Sequence, residues 1–160
     1  MIGIDLVDLE QARADSNWRR AGYLNKLFTT QEQVLIKDTE TPEKMVWLLW
    51  SMKEAAYKSW SGESDNRRIY APVKLICQLV KQEDNFISGM VSFLDQQYHT
   101  RSFLTQQYIY TLAASENTML DKSEVSITTI HGTTGLYDKK NASTVSHHGK
   151  YLALAWLFPI

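Results

Sequence analysis

An apolar run inside a helical stretch constrains this chain more than any other feature. Thr41-Pro42-Glu43 offers a hydroxyl at the N-cap, proline at the first helical position and an acid in the first turn, so a helix is expected to start there. It should run to about Trp60, with Gly62 as its stop. Residues 45–50 read Met-Val-Trp-Leu-Leu-Trp and are apolar on every side. A helix that is apolar all round is buried all round. Other elements must therefore wrap it, and it becomes the central helix.

The flanking sequence says what those elements are. Residues 2–9 alternate apolar with small or acidic side chains and read as a strand entering the core at once. Residues 9–20 form a polar, helical stretch. Thr29-Thr30-Gln31-Glu32-Gln33 carries a capping-box pattern and should open a short helix. Beyond Gly62 the texture turns to β: residues 73–81, 86–94, 98–104, 108–114, 125–130 and 151–157 read as strands. Glu83-Asp84-Asn85 and Asp95-Gln96-Gln97 are the turn-like breaks, and residues 131–144 form a loop. The fold class this predicts is α+β: an antiparallel sheet packed around a long central helix, in one domain spanning residues 1–160.

Composition excludes some functions. With 17 Lys+Arg against 18 Asp+Glu, bulk charge gives no support to nucleic-acid binding. No apolar stretch reaches membrane-spanning length, so no membrane role is expected. Asp5 and Asp8 interrupt any leader-like run, and a cytoplasmic setting is the expectation. Cys77 is the only cysteine, so an intramolecular disulfide is impossible; it lies in a strand-like run and reads as a buried, inert thiol.

Three clusters carry chemistry. On the central helix, Glu54 and Lys58 are four apart and share a face, with Lys53 beside them. They form either a surface ion pair or a site for a metal and a phosphate. Trp47, Trp50, Tyr57 and Trp60 leave little wet surface, and a buried ion needs a partner. On the first strand, Asp5 and Val7 share one face and Asp8 takes the other. Aspartate is disfavoured at a strand centre, so Asp5 is either a solvated strand-end acid or a functional one. The third cluster is Val145-Ser146-His147-His148-Gly149-Lys150-Tyr151, which reads either as a polar loop or as an anion-binding turn.

Gly3-Ile4-Asp5, followed about fifty residues on by Trp50-Ser51-Met52-Lys53-Glu54-Ala55-Ala56-Tyr57-Lys58, resembles the two signatures of the 4′-phosphopantetheinyl transferase superfamily. Phe28-Thr29-Thr30-Gln31-Glu32 is similar to its Phe-Thr-x-x-Glu segment. The short layout resembles the small, holo-acyl-carrier-protein synthase type, in which Asp8 matches a further acidic position. Ser146-His147 is similar to that type's Ser-His-Thr segment, with His148 in place of the threonine. The helix motif here is led by Leu48-Leu49 rather than the usual Arg-Phe-Ala. The likeness covers roughly residues 2–60 and 143–157.

That resemblance implies a chemistry. An enzyme of this kind transfers the phosphopantetheine arm of coenzyme A to a serine of an apo carrier protein and releases 3′,5′-adenosine bisphosphate. It implies Mg²⁺ held by Asp5 and Glu54, with Glu54 also relaying the serine proton. Lys58 would contact the phosphate under attack, with Lys53 a weaker phosphate contact. Ser146 and His147 would bind the nucleotide's 3′-phosphate. Arg67 and Arg68 sit in a polar loop, and Arg67 is a candidate phosphate contact. The small type further implies a homotrimer with sites between subunits, so that Ser146-His147 would serve a neighbour's Asp5 and Glu54. The rival readings are a non-catalytic binding paralogue on the same fold, a different magnesium phosphotransferase, and a structural protein.

Overall fold

The computed structural model describes residues 1–63, 70–130 and 139–159. The expected central helix, α4 (Pro42–Gly62), is the longest element. Thr41 precedes it as expected, although its side chain makes no capping bond. Val46, Leu48, Leu49, Met52, Ala55 and Ala56 are almost wholly buried, as an all-apolar helix requires.

Strand β1 (Ile2–Asp8) runs through the middle of the protein and all of its residues are buried. Helices α1 (Leu9–Asp15), α2 (Tyr23–Leu27) and α3 (Thr30–Asp38) follow. The stretch 9–20 is therefore helical only in its first half, where Asp8 caps α1 by accepting from Glu10 and Gln11 N–H. The predicted capping box opens α3: Thr29 and Glu32 bond each other's backbone N–H reciprocally.

The remaining strands are β2 (Ile76–Gln82), β3 (Phe86–Phe93), β4 (Gln96–Leu104), β5 (Tyr108–Ala114), β6 (Ser123–Thr129), β7 (Thr144–His148) and β8 (Tyr151–Leu157), with a short α5 (Asn117–Asp121) before β6. Residues 73–75 are not strand, because Pro72 starts a 3₁₀ turn, Pro72–Lys74. They form two antiparallel sheets rather than one, ordered β1-β5-β4-β3-β2 and β6-β8-β7.

Strand alternation divides the core. Val7 turns toward α4, into a cluster with Met52, Ala55, Val91 and Ile109. Ile2, Ile4 and Leu6 turn the opposite way, onto Ala153 and Ala155 of the smaller sheet. Being an edge strand, β1 carries outward N–H groups that β5 cannot satisfy. Side chains of β7 meet them: Ile4, Leu6 and Asp8 N–H donate to Thr144 Oγ1, Ser146 Oγ and His148 Nδ1 at 3.4, 3.0 and 2.8 Å. The segment read as a turn is thus a strand crossing β1, and Gly149-Lys150 makes the turn after it.

Candidate active site

β1 and α4 approach closely because Gly3 has no side chain. A Cβ there would lie 2.1 Å from Ala55 O and 2.6 Å from Ser59 N, both backbone atoms of α4. The glycine of the Gly-Ile-Asp signature is therefore a packing requirement, and it sets Asp5 against the helix face that carries Lys58.

Lys58 does not pair with Glu54. Its Nζ donates to Ile4 O at 2.9 Å, Asp5 Oδ1 at 3.2 Å and Ser146 Oγ at 3.3 Å. The ammonium thus joins β1 and β7 to α4 in one chain, and Ser146 meets the Lys58 of its own chain. Asp5 Oδ2 is buried without a hydrogen bond. Burial raises the Asp5 carboxyl above the usual carboxylate range, against the lowering effects of Lys58, Ser51 and His148. Ser51 Oγ, although it favours the ionised form, completes no hydrogen bond either.

Glu54 lies one turn before Lys58. Burial raises its carboxyl first and the Asp5 charge second, while Tyr70 and Lys58 act the other way. The Tyr70 phenol donates to Glu54 Oε1. Sequence reasoning missed Tyr70, since no motif or periodicity marks it. The charge of Asp5 raises the proton affinity of Glu54, and a cation held between them would relieve it.

A cavity of about 360 Å³ opens beside this cluster, lined among others by Asp5, Lys58, Ser146, His147, His148 and Trp50. Glu54 is not among its lining residues. His147 Nε2 lies 3.2 Å from Gly149 O. Asp8 is committed elsewhere: besides capping α1 it accepts from Lys150 N–H at 3.1 Å.

Lys53 is not at this site. Its Nζ is fully buried and donates to Glu32 Oε1, Leu27 O and Pro72 O at 2.8, 2.9 and 2.9 Å. All three N–H groups are used and the side chain is wholly buried away from the cavity, so Lys53, unlike the part-exposed Lys58, is in no position to meet a phosphate. Cys77 is buried as expected, its thiol pushed up by burial and by Glu32. Arg67 and Arg68 fall outside the described residues.

Among the described residues no three His, Cys, Asp or Glu side chains converge on a metal position. Magnesium does not need three, since it takes one or two carboxylates and completes its shell with water and substrate phosphates. The orphaned Asp5 Oδ2 beside a coupled Glu54 fits that demand.

These features define an α+β protein in which Asp5, Lys58 and Ser146 converge beside a cavity. The family model of the 4′-phosphopantetheinyl transferase superfamily matches residues 1–115. The chain belongs to that superfamily. The match ends just after β5, so β7 with Ser146 and His147 lies beyond it. Among solved structures the chain is similar to Helicobacter pylori holo-[acyl-carrier-protein] synthase in complex with coenzyme A: 15% identity over 72% of this chain and 100% of that one, TM-score 0.53. It is also similar to Thermotoga maritima holo-[acyl-carrier-protein] synthase, at 10% identity over 96% of this chain and 81% of that one, TM-score 0.49. No curated protein matches the chain. No helix among the described residues is long and apolar enough to cross a membrane.

Proposed function

We propose that this chain, as a single domain of the small, holo-acyl-carrier-protein synthase type, transfers 4′-phosphopantetheine from coenzyme A to a serine hydroxyl of an apo carrier protein. The observation that carries this reading is Asp5 Oδ2, buried and unpartnered beside Lys58 and electrostatically coupled to Glu54. A buried polar atom is normally bonded. A carboxylate oxygen left open next to a cavity suits a divalent cation.

Asp5 and Glu54 would hold Mg²⁺. When bound, the ion supplies neutralisation of the pyrophosphate charge. The rest falls to this chain's own groups. The carrier's serine oxygen forms a bond to the β-phosphorus, the bond from that phosphorus to the bridging oxygen breaks, and 3′,5′-adenosine bisphosphate leaves. The serine proton goes to Glu54, directly or through a water, and burial of Glu54 raises its affinity for that proton. Lys58, fixed by Ile4 O and Asp5, can exchange its longest bond, to Ser146, for a phosphate oxygen. Ser146 and His147 line the same cavity and are proposed 3′-phosphate contacts. A cavity of about 360 Å³ takes the phosphate part of coenzyme A rather than the whole molecule. Arg67 keeps its candidacy as a phosphate contact from the sequence alone. A cytoplasmic setting and a homotrimer complete the reading.

Purified chain mixed with coenzyme A, Mg²⁺ and an apo carrier tests it by carrier mass spectrometry. The carrier should gain one phosphopantetheine; EDTA should abolish the gain, and Asp5→Ala or Glu54→Ala should greatly reduce it. No gain across fatty-acid, polyketide and peptide carriers refutes transfer and favours a non-catalytic paralogue that binds coenzyme A.

A further inference from the structure

Lys53 and Glu54 are neighbours on α4, yet both hold the segment that follows residue 69. Lys53 Nζ fixes it from inside through Pro72 O at 2.9 Å. Glu54 Oε1 holds it through the Tyr70 hydroxyl. The Tyr70 ring meets Tyr57 edge-on, with centroids 5.0 Å apart, and Trp50 edge-on at 6.2 Å. Two aromatic contacts and a backbone anchor therefore set where the phenol sits, before its hydroxyl bonds anything.

The two acids of the site share a pattern. Asp5 Oδ1 is held by Lys58, and Oδ2 is open. Glu54 Oε1 is held by Tyr70, and no other hydrogen bond reaches Glu54 among the described residues. Each carboxylate has one oxygen pinned by a donor and one left over. A donor that pins one oxygen of a ligating carboxylate orients the other, and losing such a donor typically weakens metal affinity by about 10–100-fold.

We propose that Tyr70 is a positioning residue for the divalent cation, its hydroxyl fixing Glu54 so that the free carboxylate oxygen is presented alongside Asp5 Oδ2. Tyr70 acts through Glu54 and touches neither cation nor substrate. The inference rests on the magnesium reading of Asp5 and Glu54 above, and deepens it.

Mn²⁺ is the probe, titrated into the full chain without coenzyme A, with free Mn²⁺ read by electron paramagnetic resonance. Tyr70→Phe removes the hydroxyl and keeps the ring contacts; Glu54→Gln is the control. Wild type should bind, Glu54→Gln should lose binding, and Tyr70→Phe should bind about 10–100-fold more weakly. Thermal unfolding in EDTA should be the same for Tyr70→Phe and wild type, which a merely structural tyrosine would not give. Equal or tighter Mn²⁺ binding by Tyr70→Phe, or a weakened affinity that tracks a lowered unfolding temperature, overturns the positioning role and leaves the magnesium reading standing. No Mn²⁺ binding by wild type overturns both.

Discussion

Replacing Lys53 by methionine separates a structural lysine from a phosphate-binding one. Methionine keeps most of the volume and removes the charge. The ammonium now makes three bonds of 2.8–2.9 Å, and its side chain and that of Glu32 are 0% and 1% exposed. Removing one partner of a buried ion pair costs about 3–5 kcal/mol, because the other charge stays buried and uncompensated. Here Glu32 would keep only the N–H groups of Thr29 and Cys77. A domain of this size is stable by roughly 5–15 kcal/mol, so much of the margin goes. At about 2–4 °C per kcal/mol, the midpoint should fall by roughly 6–20 °C. Urea denaturation followed by circular dichroism measures the loss directly. Lys53→Met combined with Glu32→Gln should lose less than the sum of the two single changes, since the stranded charge is gone. A loss under about 1 kcal/mol, or lost transferase activity at wild-type stability, would refute the structural assignment and return Lys53 to the phosphates.

Two other outcomes follow from the same packing. Gly3→Ala puts a Cβ 2.1 Å from Ala55 O, so β1 must leave α4; a loss of about 1–3 kcal/mol or more is expected, and a wild-type unfolding midpoint would contradict the close approach. Burial raises Asp5 above its ordinary 3.8, so the folded chain binds that proton more tightly than the unfolded one, and stability falls as pH rises from 3.8 through the raised value. Asp5→Asn removes that loss: in EDTA near pH 7 (on the order of one unit either way) it should unfold at a higher temperature than wild type while transferring almost no phosphopantetheine, and a lower midpoint would show that Lys58 outweighs burial.

Central helix, first strand and capping box were legible because each rests on local chemistry. Pro42 at a first turn, an apolar run, and Thr29 three residues before Glu32 need no distant partner to be read. Lys53 was misread for want of such a partner. Adjacent helix residues point about 100° apart, so Lys53 and Glu54 could not both face one site, but nothing local says that Glu32 waits on the other side. Tyr70 follows a polar loop that places nothing from sequence. β7 was illegible for a different reason. Thr144-Val145-Ser146-His147-His148 lacks a strand's apolar alternation, since its alternate side chains bond the N–H groups of β1 instead of packing a core.

That same crossing changes why the cavity suits an anion. Ser146 Oγ accepts from Leu6 N–H and from Lys58, which occupies its lone pairs and leaves its own O–H as the remaining donor. His148 Nδ1 accepts from Asp8 N–H, so the neutral ring must carry its proton on Nε2. Both residues line the cavity together with Lys58. Covering the edge of β1 therefore uses up the acceptors of β7 and leaves its donors. The O–H and ring N–H that β7 presents to the cavity suit a phosphate better than a cation, so the polarity of the β7 side of the site comes from the fold of β1, while Asp15 lines the cavity from α1. Asp5 Oδ2 is an open acceptor beside those donors, which is where a cation would settle next to the phosphate.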